Sequence, residues 1–180
     1  MEDRPDDYRS IMADIFLKLE SYRYIMVEGG CKCDVGELSR SISSYFTAKG
    51  IPVIKYTTDS VSMNSAVLDF WKQAQDQGYD SGPKVLLERG PLSAYIFGGV
   101  AQWRFLDFVD IVRSMKGFGI VMKENTREEL TSRYPEVCEE LILEQTLFTQ
   151  LLDKHGLPHI RIGASLGSRV VCKNLNGFNV

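Results

Sequence analysis

Short β-rich runs alternate with longer stretches of helical periodicity along this chain. Five runs have the length and apolar content of buried strands, and they cover residues 24–28, 51–56, 84–88, 119–122 and 158–162. Apolar residues at helical spacing predict helices over about 7–20, 36–49, 61–77, 92–97, 100–115, 127–133 and from 135 onward. Because parallel neighbours need a crossover connection, this order predicts an α/β protein with a parallel sheet of about five strands and helices on both faces.

The two ends of the chain differ in pattern. Residues 1–22 are predicted to hold an N-terminal helix, whereas residues 163–180 show no clear period and are predicted to form an irregular tail. In the last long helix, which starts at Pro135 in this prediction, the apolar positions form a stripe of Val137, Leu141, Leu147, Phe148, Leu151 and Leu152. We expect one domain over residues 1–180.

Composition narrows the class of protein. The chain has 180 residues, of which 44% are hydrophobic and 25% charged, and a domain of this size buries about 70% of its surface without metals or disulfides. Its 21 basic and 24 acidic residues give a net charge of -3, which disfavours nonspecific nucleic-acid binding and attachment to an anionic membrane. The polar N-terminus, the lack of a long apolar stretch and the four scattered cysteines predict a cytoplasmic protein without a disulfide scaffold.

The turn after the first strand is the first candidate site, because ligands of such sheets bind beyond the carboxyl ends of the strands. A strand, a glycine-containing loop and a helix point backbone N–H groups at an anion. The phosphate-loop pattern GxxxxGK(S/T) is aligned here on Gly29. It places Asp34 at the second glycine, Val35 at the lysine and Gly36 at the hydroxyl residue. All three positions differ, which predicts slow or absent ATP turnover. In the alternative, Lys32 within the loop substitutes for the missing lysine, although it is out of register for that role.

Two blocks of sequence resemble the thymidylate kinase and deoxynucleoside kinase branch of the P-loop kinases. The family loop reads EGxDGxGKST followed by Leu, and Glu28, Gly29 and Leu38 match it. The family also has Asp/Glu-Arg at the end of the third strand with Ser and Tyr shortly after, and the run Glu88-Arg89-Gly90-Pro91-Leu92-Ser93-Ala94-Tyr95 is similar. The resemblance covers about residues 24–162 and implies a three-layer P-loop NTPase-like domain.

The resemblance also implies a role for each matching residue. Arg89 would hold the phosphate or 5′-hydroxyl end of a nucleoside substrate, and Glu88 would assist magnesium binding or proton transfer. Further nucleotide contacts would come from the loop, from the second block and from a lid after the fourth strand, namely Gly29, Gly30, Lys32, Gly36, Ser93, Tyr95, Arg127 and Arg133. ATP and Mg²⁺ would be the cofactors. The acidic-proline element of the family is absent, and residues 56–59 stand in its place.

A kinase-like order of elements with an altered phosphate loop indicates a divergent paralogue of the family. One interpretation is that it is of viral origin. We expect a thymidylate- or deoxynucleotide-kinase-like protein with lost or weak phosphoryl transfer, acting as a pseudokinase that binds a nucleotide or a protein partner. The alternative is an active nucleoside monophosphate kinase that transfers phosphate from ATP. Because related kinases pair through helices, the resemblance also allows a homodimer through the apolar helices around 67–71 and 103–112.

Simpler structural explanations stand beside these assignments. Glu88 and Arg89 are alternatively ion-paired with each other or with neighbours at a strand end. The spacing of the four cysteines and of the two histidines disfavours metal binding. Four aromatic residues either stack a nucleobase or have the commoner role of filling the core: Trp71, Trp103, Phe105 and Phe108.

Overall fold

The computed structural model describes residues 5–57, 76, 82–98, 102–114, 117–163 and 170–173. The helices of this part of the chain are α1 (Pro5–Glu20), α2 (Val35–Ala48), α3 (Pro91–Phe97), α4 (Gln102–Ser114), α5 (Arg127–Arg133) and α6 (Cys138–Lys154). The strands are β1 (Tyr24–Gly29), β2 (Val53–Thr57), β3 (Lys84–Glu88), β4 (Phe118–Glu124), β5 (His159–Gly163) and β6 (Val170–Lys173). The helix predicted over 61–77 lies outside the described residues, except for position 76, which is helical.

The strands form one sheet in the order β2-β3-β1-β4-β5-β6. The first five are parallel, as the alternating pattern predicted, and β1 lies between β3 and β4. The sixth strand pairs antiparallel with β5, for example Ile160 with Cys172. No element was predicted in that stretch, and the irregular tail expected over 163–180 is wrong at this strand. Four residues span too few periods for alternation to be readable from the sequence.

Helices cover both faces of the sheet, which confirms the three-layer α/β prediction. Successive β1 side chains point to opposite faces. Tyr24 and Met26 belong to the core cluster shared with α3, α4 and α6. Ile25 and Val27 belong to the cluster shared with α1 and α2. Among the described residues no helix is both long and apolar enough to cross a membrane.

The last long helix differs from its prediction at both its start and its apolar face. It begins at Cys138, because residues 135–137 form a turn after α5. Tyr134 precedes a proline and has φ -140° and ψ 56°, which agrees with the bias of pre-proline residues away from helix. The predicted apolar stripe is also too wide, since Val137 and Leu147 are 37% and 49% exposed.

Two of the four candidate stacking aromatics belong to the core. Phe105 and Phe108 on α4 are each 2% exposed and pack in the cluster with β1 and β4. This confirms for both rings the structural explanation over base stacking. Trp71 and the side chain of Trp103 lie outside the described residues.

Candidate functional site

The candidate site lies where the parallel strands β1, β3 and β4 end. Gly29 ends β1 and pairs with Lys123 of β4. The turn that follows covers residues 30–34 and is held by the Cys33 N–H, which donates to the Gly30 carbonyl at 3.0 Å. Asp34 then caps α2 by accepting the Glu37 N–H at 2.8 Å. The loop therefore enters the helix as a phosphate loop does, at the edge where such sheets bind ligands.

The first residues of α2 have a different chemistry from that of a phosphate loop. Val35, at the lysine position, is 2% exposed, and its Cγ2 would be 2.9 Å from a Cβ atom at Gly29. A Cβ atom at Gly36 would be 3.3 Å from the Glu88 carboxylate. The position of the phosphate-binding lysine is thus occupied by a core side chain, and the position of the hydroxyl residue faces a carboxylate.

A carboxylate from α6 binds the loop on its other side. The Cys31 N–H donates to Glu144 Oε1 at 2.5 Å. The same oxygen would be 2.7 Å from a Cβ atom at Gly30, so the absence of a side chain at Gly30 permits this approach. Burial is the largest cause that raises the pKa of the Cys31 thiol, and the charge of Glu144 adds to it.

The residue after Glu144 ties α6 to the end of β4. The Gln145 side chain accepts the Asn125 N–H at 2.7 Å and donates to the Asn125 carbonyl at 3.0 Å. Asn125 in turn donates through Nδ2 to the Lys32 carbonyl at 3.2 Å. The loop, β4 and α6 consequently form one hydrogen-bonded unit.

Arg89 supports the loop from the β3 side. Its two terminal nitrogens donate to the carbonyls of Gly29 and Gly30 at 2.9 and 3.1 Å. Its backbone has φ 59°, which is unusual for a residue with a side chain. Its guanidinium carbon lies 5.9 Å from the centre of the Phe97 ring. The Glu88 carboxylate beside it pairs with Lys55 at 2.8 Å.

A buried carboxylate next to this site has a role that the sequence did not predict, although Glu28 matched the family loop. Glu28, at the end of β1, is fully buried and accepts the N–H groups of Leu92 and Ser93 at 3.1 and 3.2 Å. The Ser93 hydroxyl also donates to it at 2.5 Å. Burial raises the pKa of Glu28 to about 7 against the opposing effect of these hydrogen bonds. The available signal for this role in the sequence was a single acidic residue, Glu28, in the otherwise apolar strand β1.

The predicted nucleotide-binding residues divide into two sets. The structure brings four of them together with Glu88 at the sheet edge, namely Gly29, Gly30, Gly36 and Arg89. Lys32 lies in the same loop, but its ammonium group is 5.4 Å from the centre of the Tyr134 ring. Ser93 is buried against Glu28, and Tyr95 stacks on Phe105 with ring centres 4.8 Å apart. Of the two lid candidates, Arg127 pairs with exposed Glu139 at 2.5 Å, and Arg133 is exposed in the last turn of α5.

The residues at the loop do not fit a magnesium–triphosphate group. Such a group needs a loop cation and a hydroxyl ligand for the metal, but here Val35 is buried and Gly36 lacks a side chain. The Cys31 N–H of the loop already donates to the Glu144 carboxylate. Within the described ranges no group of three or more His, Cys, Asp and Glu side chains is arranged to hold a metal ion.

A comparison with solved structures identifies the class of fold. The chain is similar to the YorR protein of Bacillus subtilis, whose crystal structure was determined in complex with phosphorylated GDP. The two share 15% identity with a TM-score of 0.53, over 78% of this chain and 85% of that one. No protein-family model and no curated protein matches the sequence. The chain therefore has a three-layer α/β fold like that of the YorR protein.

Proposed function

We propose that this chain is a divergent thymidylate- or deoxynucleotide-kinase-like protein that has lost ATP-dependent phosphoryl transfer and acts as a nucleotide-binding pseudokinase. The observation that carries the proposal is the state of the β1–α2 loop. Val35 is a core side chain at the lysine position, and the Glu144 carboxylate accepts the N–H of Cys31 in the loop. Both features oppose a triphosphate at this loop.

The loss of activity follows from how phosphoryl transfer is catalysed. The protein contributes positioning and stabilisation of charge on the transferred group. Removal of one preorganised donor typically costs about 10²- to 10³-fold in kcat. This loop has neither the lysine nor the hydroxyl residue, and Asp34 adds a negative charge at the glycine position. We expect no phosphoryl transfer above background.

Three observations support retention of nucleotide binding. The loop and Arg89 stand at the carboxyl edge of a parallel sheet, where this class of fold binds ligands. Phe97, beside the Arg89 guanidinium, is 41% exposed and offers an aromatic ring for a base. The structurally similar YorR protein was crystallised with a nucleotide. Because the loop opposes a triphosphate, the proposed ligand is a nucleoside monophosphate.

Calorimetric titration of the full chain tests this assignment. dTMP and the other nucleoside monophosphates are titrated separately from magnesium–ATP, and a coupled assay measures phosphoryl transfer to each of them. We expect saturable binding of at least one monophosphate and no transfer. Product formation would establish the active-kinase alternative, and failure of every monophosphate to bind would favour a protein-binding pseudokinase.

A pair of arginine variants then locates the binding site. Arg89→Lys keeps the charge but loses the planar fork that holds two carbonyls. Arg113→Lys is the matched control, since Arg113 lies near the end of α4 and binds the His155 carbonyl. We expect Arg89→Lys to weaken monophosphate binding by about tenfold or more, with no change in the control. Equal affinities in the two variants would remove Arg89 from the site.

A further inference from the structure

The Glu144 carboxylate lies where the β1–α2 loop would receive an anion. Its Oε1 atom accepts the Cys31 N–H and lies close against Gly30. Carboxylate and phosphate oxygens are equivalent acceptors for backbone N–H groups at such a loop. We propose that Glu144 is a specificity-determining residue that excludes polyphosphate from this loop by occupying it. This inference rests on the proposed function and deepens it.

The position of Glu144 is fixed by the packing of its helix. Leu141 and Phe148, on the same helix, are 7% and 0% exposed and belong to two different core clusters. Gln145 makes the paired hydrogen bonds to Asn125 described above. Buried residues therefore fix α6 both before and after Glu144 in the sequence, and this holds the Glu144 carboxylate at the loop.

The local charge makes the exclusion effective. A phosphate at the Cys31 N–H would share its donor with the Glu144 carboxylate, so it must displace that side chain or face a like charge at contact distance. Asp34, which belongs to the loop itself, already caps α2 by accepting the Glu37 N–H. Lys123 donates to the Asp34 carbonyl at 3.0 Å and lies 3.5 Å from Glu37, so this cation is engaged with the start of α2.

The Glu144 carboxylate also competes at a higher effective concentration than a free anion, because it belongs to the same chain. A group held on the same chain competes at an effective concentration that a free anion in solution does not reach. Glycine at position 30 serves this contact, because a Cβ atom there would lie 2.7 Å from Glu144 Oε1. In an active phosphate loop, glycine lets the backbone approach a phosphate. Here Gly30 lets the backbone approach the Glu144 carboxylate.

The test is binding of inorganic pyrophosphate to full-length variants, measured by titration calorimetry. Glu144→Ala removes the carboxylate, and Glu140→Gln is the control because Glu140 is an exposed acid one turn earlier on α6. A hydrogen bond to a charged group corresponds to roughly ten- to hundredfold in affinity. We expect pyrophosphate to bind Glu144→Ala at least about tenfold more tightly than the parent chain, and Glu140→Gln to equal the parent.

A second variant and a second measurement protect the test against misfolding. Glu144→Gln keeps the size of the side chain and removes its charge, so it should also gain pyrophosphate affinity while retaining the melting temperature. Hydrogen exchange at the Cys31 amide should accelerate in Glu144→Ala and slow again with pyrophosphate. Unchanged pyrophosphate affinity in both Glu144 variants, or an equal gain in Glu140→Gln, would overturn the inference. Pyrophosphate affinity of the variants does not report on phosphoryl transfer by the parent chain. The failure of this inference is therefore distinguishable from the failure of the proposed function.

Discussion

The buried carboxylate of Glu28 makes the stability of the fold depend on pH. Its pKa rises from 4.5 to about 7 because burial penalises the charged form. Between these two values the unfolded chain has released the proton, while the folded protein still holds it. The free energy of unfolding therefore falls as pH rises through this window and levels off above pH 7. Each pKa unit corresponds to about 1.4 kcal/mol, so the shift amounts to about 3 kcal/mol.

Glu28→Gln isolates this contribution. The amide does not titrate, and its imperfect match to the N–H groups of Leu92 and Ser93 is a cost that does not vary with pH. His155 changes stability in the opposite direction, because burial lowers its pKa, but it does so in both proteins. The stability of Glu28→Gln relative to the parent should therefore increase by about 2.5 kcal/mol between pH 5 and pH 8.

Urea unfolding at pH 5, 6, 7 and 8 measures the difference directly. Both proteins are followed by circular dichroism, and free energies are compared at each pH by linear extrapolation. A difference that grows across pH 5 to 7 and is flat above pH 7 is the expected result. Parallel pH profiles for the two proteins would refute the view that Glu28 is buried with a raised pKa.

Three further predictions concern other contacts. Lys84 donates to three carbonyls at and just after the end of α1, so Lys84→Met should lower the free energy of unfolding by about 2 kcal/mol. An unchanged urea midpoint would contradict this capping role. Glu144→Gln should lower the apparent pKa of Cys31 alkylation, read by mass spectrometry across pH, whereas an identical profile would exclude the carboxylate as a cause. The triple loop change D34G, V35K and G36S should raise ATP affinity more when combined with Glu144→Ala than alone, and equal gains would argue against competition at the loop.

The strands of the parallel sheet were predictable because their signals are local. The run 84–88 matches β3 residue for residue, and the predicted helix 127–133 matches α5. Each has an apolar pattern or a cap within a few positions, such as Thr126 and Glu129 at the start of α5. The sixth strand was not predicted, because its four residues form a strand only by pairing with β5.

The contacts of the candidate site were only partly predictable. The position of the loop follows from a strand, glycines and a helix in succession, but its partner Glu144 lies 113 residues from Cys31. Nothing in the helical pattern around Glu144 distinguishes it from other acids on α6. The role of Glu28 likewise depends on a contact 64 residues away, with the start of α3. Such pairings are products of the tertiary fold, and a single sequence carries no local trace of them.

The loss of phosphoryl transfer is tested most directly by the binding of magnesium–ATP to the parent chain, measured by calorimetry alongside a phosphoryl-transfer assay with the nucleoside monophosphates. We expect binding of a monophosphate, no saturable heat with magnesium–ATP and no transferred phosphate. Saturable magnesium–ATP binding accompanied by a phosphorylated product would contradict it, because the loop would then accept a triphosphate despite Val35 and Glu144.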